Sequence, residues 1–332
     1  MADNPLLALP HIDTDRQRIE DELIASVQAP TEAMTEMAGH LIGAGGKRVR
    51  PLFSVAAAGC AADHEGPATL ESIRGGVSVE LVHLGSLYHD DVIDEAVTRR
   101  GIASVNARWG NLRAILAGDF LLARASEIAA SLGTEVAGLL AATIGRLCEG
   151  EVEELGAAYQ IDRTEASYLA AIEGKTASLL STACRIGGIV ADMPREEIDV
   201  LTSFGRNYGM AFQIVDDVLD VIATDEQLGK PAGLDLREGA YNLPTLRALK
   251  SEGGDELRSL LGTPLDGAPW ERARAIVAAS PGLDEAVAMA HDYVAAADAD
   301  LDAFEGRPAA TALSGAAHHL LRTLDDVRTT NA

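Results

Sequence analysis

The chain is expected to fold as an all-α, single-domain helical bundle, and three observations carry that expectation. Alanine and leucine dominate its 332 residues while aromatics make up 4%, so runs with strand character are scarce. Apolar residues recur at helical spacing almost throughout. Hydrophobic residues reach 47%, enough for a large core, with no internal repeat and no linker to divide it.

Taken in order, the periodicity predicts helices over 12–28, 31–43, 50–62, 66–95, 111–131, 134–157, 163–190 and 195–223. Turn residues separate several of them, as in GAGGKR (43–48) and SLGTE (131–135). The stretch ATDEQLGKPAGLDLREGA (223–240) lacks a period and is rich in glycine and charge, which reads as a long loop of the lid type. Shorter helices follow over 243–251, 267–280, 282–304 and 308–328.

The formal net charge is −24 with a pI near 4.6, which disfavours nucleic acid and anionic lipid surfaces as partners. Cys60, Cys148 and Cys184 lie far apart without a CxxC pair, against a disulfide framework or a zinc site and for a reducing compartment. The first fifteen residues have no basic region ahead of an apolar stretch, and no apolar run approaches the ~20 residues of a membrane span. A soluble, cytoplasmic protein without a transmembrane segment is expected.

Two acidic clusters carry the chemistry. In LVHLGSLYHDDVIDEAVTRRG (81–101), Asp90 and Asp94 share a helical face with Asp91 beside them. In YGMAFQIVDDVLDVI (208–222), Asp216, Asp217 and Asp220 repeat the DDxxD spacing among apolar residues that would set them deep in a bundle. One such cluster is as easily a solvated acidic face. Two identical ones, more than a hundred residues apart in apolar helices, make that reading improbable; if the two helices face each other, six carboxylates line one cavity. Oxygen ligands without cysteine suit a hard divalent ion, and magnesium leaves coordination positions for phosphate oxygens. His89 beside Asp90 reads as supporting or structural.

Against this acidity the cations of GGKRVRP (45–51) stand out: Lys47, Arg48 and Arg50. Arg99 and Arg100 follow the first cluster, Lys175 sits in EGKTASLL, and Lys230 lies in the 223–240 stretch. Each alone reads as a surface cation; together they can hold a second diphosphate without metal. Neither GGKR nor EGKT is a nucleotide-binding loop, because the required upstream glycine is Leu41 or Leu169 and no strand precedes.

These motifs, with GDFLLARA (118–125), CEGEVEEL (148–155) and GKPAGLDL, resemble in order and spacing the polyprenyl synthetase family, the trans-isoprenyl diphosphate synthases, over roughly 40–250. The resemblance implies an all-α bundle around a deep central cavity, a homodimer, and condensation of isopentenyl diphosphate with an allylic diphosphate. It implies Mg2+ as cofactor, three ions with bound diphosphate. Asp90, Asp94 and Asp216 match the main metal ligands; Asp91, Asp217 and Asp220 match groups that support the metals or their waters, and Asp220 is placed in the metal set as well. Gly46, Lys47, Arg50, His83 and Arg100 match the isopentenyl diphosphate site. Arg99, Lys175 and Lys230 match groups gripping the allylic diphosphate, and Thr176 and Gln213 lie near the developing cation.

The sequence departs from the family pattern at Ala240 and Asn242, where EGKxTLP is common and EGAYNLP is found, and at Glu154, where glutamine is common. Gly85 and Ser86, four to five residues before Asp90, are small where short-chain members place aromatics. Each open helical turn of ~5.4 Å admits about one more isoprene unit, so a product of seven or more units is favoured. A floor built by Leu139, Leu140 or Ile144 is the alternative route to a short product. Two other readings stay open: a class I terpene cyclase, and a silent subunit of a heteromeric synthase.

Overall fold

The computed structural model describes residues 4–62, 66–228 and 231–331. A single 3-10 turn (Pro5–Ala8) precedes α1 (Ile12–Ser26), α2 (Glu32–Gly43), α3 (Val49–Ala58) and α4 (Leu70–Ile93). A two-stranded hairpin follows, β1 (Thr98–Arg99) and β2 (Ile102–Ala103), then α5 (Val105–Trp109), α6 (Asn111–Ser131) and α7 (Thr134–Gly156). Next come α8 (Glu165–Ile172), a π turn (Glu173–Ala177), α9 (Ser178–Val190) and α10 (Arg195–Ile222). The remainder is α11 (Asp225–Leu228), α12 (Leu234–Glu238), α13 (Leu243–Ala248), α14 (Gly254–Leu260), α15 (Gly267–Ala278), α16 (Pro281–Asp300), a 3-10 turn (Leu301–Phe304) and α17 (Pro308–Asn331).

The all-α expectation holds, and helix ends follow local chemistry. The Thr69, Ser104, Thr164 and Asn242 side chains cap α4, α5, α8 and α13 by accepting backbone N–H bonds. The helix expected over 163–190 is instead interrupted by the π turn, a feature common at functional sites. The helices expected over 66–95 and 50–62 are shorter, beginning at the Thr69 cap and ending at Ala58. The 223–240 stretch is not a plain loop, since α11 and α12 lie in it, and α14 was not expected.

Helices α4 and α10 form the centre of the bundle. Helix α4 packs on α6, α3, α9 and α1, while α10 packs on α9, α16 and α17, so α9 lies against both. Helix α4 buries Val77, Val79, Leu81, Val82, Leu84 and Tyr88, and α10 buries Phe204, Tyr208, Ile214, Val215 and Val218. Fully burying such side chains contributes ~1.5–3 kcal/mol each, which fixes the two helices and whatever their last turns carry. Phe212, one of the apolar residues of 208–222 expected to set the second cluster deep, is 37% exposed. No helix among the described residues is long and apolar enough to cross a membrane.

Candidate active site

Both acidic clusters fall in the last turns of their helices, α4 ending at Ile93 and α10 at Ile222. Carboxylates there face the negative end of the helix macrodipole, opposite to the usual preference for cations. The arrangement favours a bound positive charge.

The six aspartates do not all face one cavity, which corrects the sequence expectation. Asp91 is fully buried and turned toward Arg99, whose Nε and Nη2 donate to its Oδ1 at 2.7 and 2.6 Å. Asp217 is also buried; Tyr168 Oη and Gln213 Nε2 donate to its two oxygens at 2.5 and 2.8 Å. Asp220 is 3% exposed and accepts from the Asp235 backbone N–H at 3.3 Å, which holds α12 against α10. Asp90 is half-buried, and Asp94 and Asp216 are exposed.

Burial pushes the Asp90 carboxyl up to about 7; Lys175 opposes the shift, and Glu151 and Asp94 reinforce it. Burial also drives Asp217 well above the usual range, helped by Asp235 and countered by its hydrogen bonds. Among the described residues no three His, Cys, Asp or Glu side chains stand close enough to enclose an ion. The oxygen-only donors Asp90, Asp94 and Asp216 fit a hard divalent ion whose other ligands come from phosphate and water.

A carboxyl raised in the fold keeps its proton below the folded pKa. The metal-free protein is therefore stabilised at low pH and loses that contribution as pH rises from 3.8 toward about 7. The urea midpoint without metal is expected to fall across this window, and magnesium to restore it most above pH 7, with proton release on binding by calorimetry. A flat midpoint and no proton release would show that Asp90 ionises normally.

The π turn sets Lys175 and Thr176 against the acids. At Gly150 on α7 an added Cβ would lie 2.9 Å from the Lys175 backbone nitrogen, so only glycine lets α7 approach this closely. Lys175 Nζ consequently reaches Glu151 and Glu154, each at 2.7 Å. Burial opposes the ammonium, but Glu154 and Glu151 outweigh it and raise the Lys175 pKa. This accounts for Glu154: a carboxylate there clamps Lys175. Thr176 Oγ1 donates to Gln213 Oε1 at 2.8 Å, continuing the chain to Asp217. These groups line a cavity of about 110 Å³ with Asp216, Asp235, Arg163, Tyr168, Ala240 and Asn242.

A second cavity, of about 410 Å³, is lined by Gly46, Lys47, Arg48, Arg50, Glu80, His83 and Arg100. Arg100 and Gly101 both have positive φ (53° and 78°), the signature of a type I′ turn joining β1 to β2. The hairpin sends adjacent arginines apart: Arg99 to Asp91, Arg100 to the carbonyls of Leu41 and Gly45. A Cβ on Gly46 would lie 2.9 Å from both Arg100 Nη1 and Arg48 Nη1, so the two guanidiniums converge only over a glycine. The Arg50 Nε is buried and meets no hydrogen-bond acceptor among the described residues, and burial lowers the Arg50 pKa. Burial and then the Arg50, Arg100, Arg99 and Arg48 charges push His83 well below its ordinary value, leaving the imidazole neutral. Lys47 is exposed at the rim.

Lys230 lies outside the described residues. Gly85 meets α6 closely: an added Cβ would stand 3.1 Å from the Gly118 carbonyl and 3.3 Å from Leu122. Its smallness serves that crossing. Ser86 is half-buried and donates to the His83 carbonyl. Sequence reasoning missed Tyr168, Glu151, Asp235, Glu80 and Arg163. Only Arg163, a cation in an acidic chain, offered a signal of the kind used for Lys47.

Residues 31–275 match the family model described as polyprenyl synthetase. The chain belongs to the polyprenyl synthetase family. It is 40% identical to the nonaprenyl diphosphate synthase of Mycobacterium tuberculosis over 301 residues, covering 90% of this chain and 89% of that one. It is 38% identical to heptaprenyl diphosphate synthase component 2 of Geobacillus stearothermophilus, covering 90% and 91%. The crystal structure of a polyprenyl synthase from Caulobacter crescentus, complexed with calcium and isoprenyl diphosphate, superposes with a TM-score of 0.87 at 33% identity over 96% of each chain. This member of the polyprenyl synthetase family is accordingly an enzyme, a transferase of prenyl groups.

Proposed function

We propose that this polyprenyl synthetase condenses isopentenyl diphosphate with an allylic diphosphate in repeated cycles, making a polyprenyl diphosphate of seven or more units. The observation that carries the reading is the pairing of two unlike anion sites. One is the cavity beside the end of α10 where Asp216 and Asp217 meet Lys175 and Arg163; the other is the cationic cavity under Gly46. A single-diphosphate enzyme such as a terpene cyclase has no use for the second.

In this reading Asp90, Asp94 and Asp216 hold magnesium, with Asp220 bracing α12 beside them. When bound, the metal supplies positive charge to the departing diphosphate. Lys175 adds a cation on the same side, held in place by Glu151 and Glu154. Thr176 and Gln213 place their oxygens near the carbon left electron-poor as the bond to oxygen breaks, and Asp217 orients Gln213. Lys47, Arg50 and Arg100 hold isopentenyl diphosphate, and the neutral His83 contributes hydrogen bonding there without adding charge. Arg99 faces the allylic diphosphate in this account, with its Nε and Nη2 held by Asp91. One domain, a homodimer and a cytoplasmic setting complete the proposal.

The test is incubation with radiolabelled isopentenyl diphosphate, farnesyl diphosphate and magnesium, followed by product sizing. A ladder ending at seven or more units supports the reading. A stop at three or four units keeps the enzyme but removes the long chain, and no incorporation with any allylic primer favours a silent subunit. A matched pair of variants bears on tail length. Ser86→Phe is expected to shorten the ladder, whereas Gly85→Phe is expected to lower stability by ~1–3 kcal/mol through overpacking against Gly118 and Leu122. Unchanged products from Ser86→Phe would place the floor elsewhere.

A further inference from the structure

Two cations line the cavity shared by Asp216 and Asp217: Lys175 and Arg163. Lys175 is already clamped by two glutamates. Arg163 is in a different state. Its Nη1 donates to the Tyr241 carbonyl at 3.3 Å, while its Nε and Nη2 are buried and meet no hydrogen-bond acceptor among the described residues. Its guanidinium lies over the Tyr168 ring, 5.6 Å from the centroid, and Tyr168 in turn donates to Asp217. The acids that act on it most strongly are engaged as well: Glu154 by Lys175 at 2.7 Å, and Asp217 by Tyr168 and Gln213. Arg163 is half-buried, and a guanidinium whose enclosed nitrogens make no hydrogen bond costs stability. Such a fork matches the paired oxygens of a phosphate.

Ala240 lies in the same cavity with a methyl side chain, so the wall that could have carried a cation there leaves space instead. We propose that Arg163, at the entry to α8, is a binding residue for the allylic diphosphate, contributing the charge that position 240 lacks. The inference rests on the proposed prenyl-transfer function. It adds a residue that motif reasoning does not reach, because Arg163 precedes the Lys175 motif and belongs to no acidic cluster.

The experiment compares wild type, Arg163→Met, and Arg163→Met combined with Ala240→Lys in steady-state kinetics with farnesyl diphosphate, isopentenyl diphosphate and magnesium. Arg163→Met is expected to raise KM for the allylic diphosphate ~10–100-fold, the equivalent of one or two charge-assisted hydrogen bonds, and to leave KM for isopentenyl diphosphate within twofold. The added lysine is expected to recover most of the loss. Equal effects on both KM values, or no rescue by Ala240→Lys, would assign Arg163 a structural role and overturn the proposal. If Arg163→Met does not fold, Arg163→Lys keeps the charge over Tyr168 and loses the fork; an unchanged allylic KM in that variant also overturns it. Absence of turnover in wild type strikes the prenyl-transfer reading itself. Thermal shift of each variant with magnesium and inorganic diphosphate then decides Arg163 alone: a shift retained in Arg163→Met counts against it, and one lost supports it.

Discussion

Asp216→Ala is expected to lower kcat/KM by about 10³-fold while leaving the fold intact. Asp216 is exposed at the end of α10 and lines the smaller cavity, so its removal takes away a metal-seeking carboxylate without opening the core. Losing one electrostatic stabiliser of a transition state typically costs 10²–10³-fold in ~2.7–4 kcal/mol, and a carboxylate that also helps retain a divalent ion sits at the upper end. Asp217→Asn is the informative contrast. Asp217 is buried between Tyr168 and Gln213 and acts by positioning, for which ~10–100-fold is the usual scale. Kinetics over a magnesium titration separate the two, since excess metal should recover part of the Asp216 loss and none of the Asp217 loss. Equal, magnesium-independent losses would contradict the division of roles.

Arg48→Ala is expected to destabilise the protein by ~3–5 kcal/mol, the scale for breaking a buried ion pair by removing one partner. Arg48 is 5% exposed and adopts a left-handed backbone conformation (φ 48°) just before α3. Its side chain pairs with Glu20 at 2.7 and 3.0 Å, with the Ile42 carbonyl at 3.0 Å and with Glu80 at 3.4 Å. Glu20 is 36% exposed, so solvent weakens that pair; Glu80 is 2% exposed and its stranded charge dominates the cost. Arg48→Lys should recover only part, because an ammonium cannot span these acceptors in one plane. Urea denaturation checks both, and a loss below about 1 kcal/mol would mean that Glu80 is not left stranded.

Much of the candidate site was legible in the sequence because its motifs are local. DDxxD places Asp90 and Asp94 together by helical geometry alone, and GGKRVRP sets three cations within four residues. What each of those cations does was not legible. Lys47 is exposed, Arg48 is a buried strut and Arg50 faces the cavity, and the difference arises from Glu20 and Glu80 on other helices. Likewise Arg99 and Arg100 are neighbours in the chain, yet a type I′ turn sends them to Asp91 and to the Leu41–Gly45 carbonyls. The Glu154 departure gained its reason only when α7 was seen closing over the π turn through Gly150.

By itself the sequence determined the helical class, the order of the long helices, the two aspartate clusters and the cations of GGKRVRP, since all of these follow from spacing along one helix or one loop. The tertiary structure decided how the buried carboxylates are held. Asp91, Asp217 and Asp220 are engaged by Arg99, by Tyr168 with Gln213, and by the backbone of Asp235. It also decided that Gly85 serves the crossing with α6 and that Arg163 stands in the cavity beside Ala240. The reason is physical: burial and hydrogen bonding of a side chain depend on partners tens of residues distant, and only packing brings those partners within 3 Å.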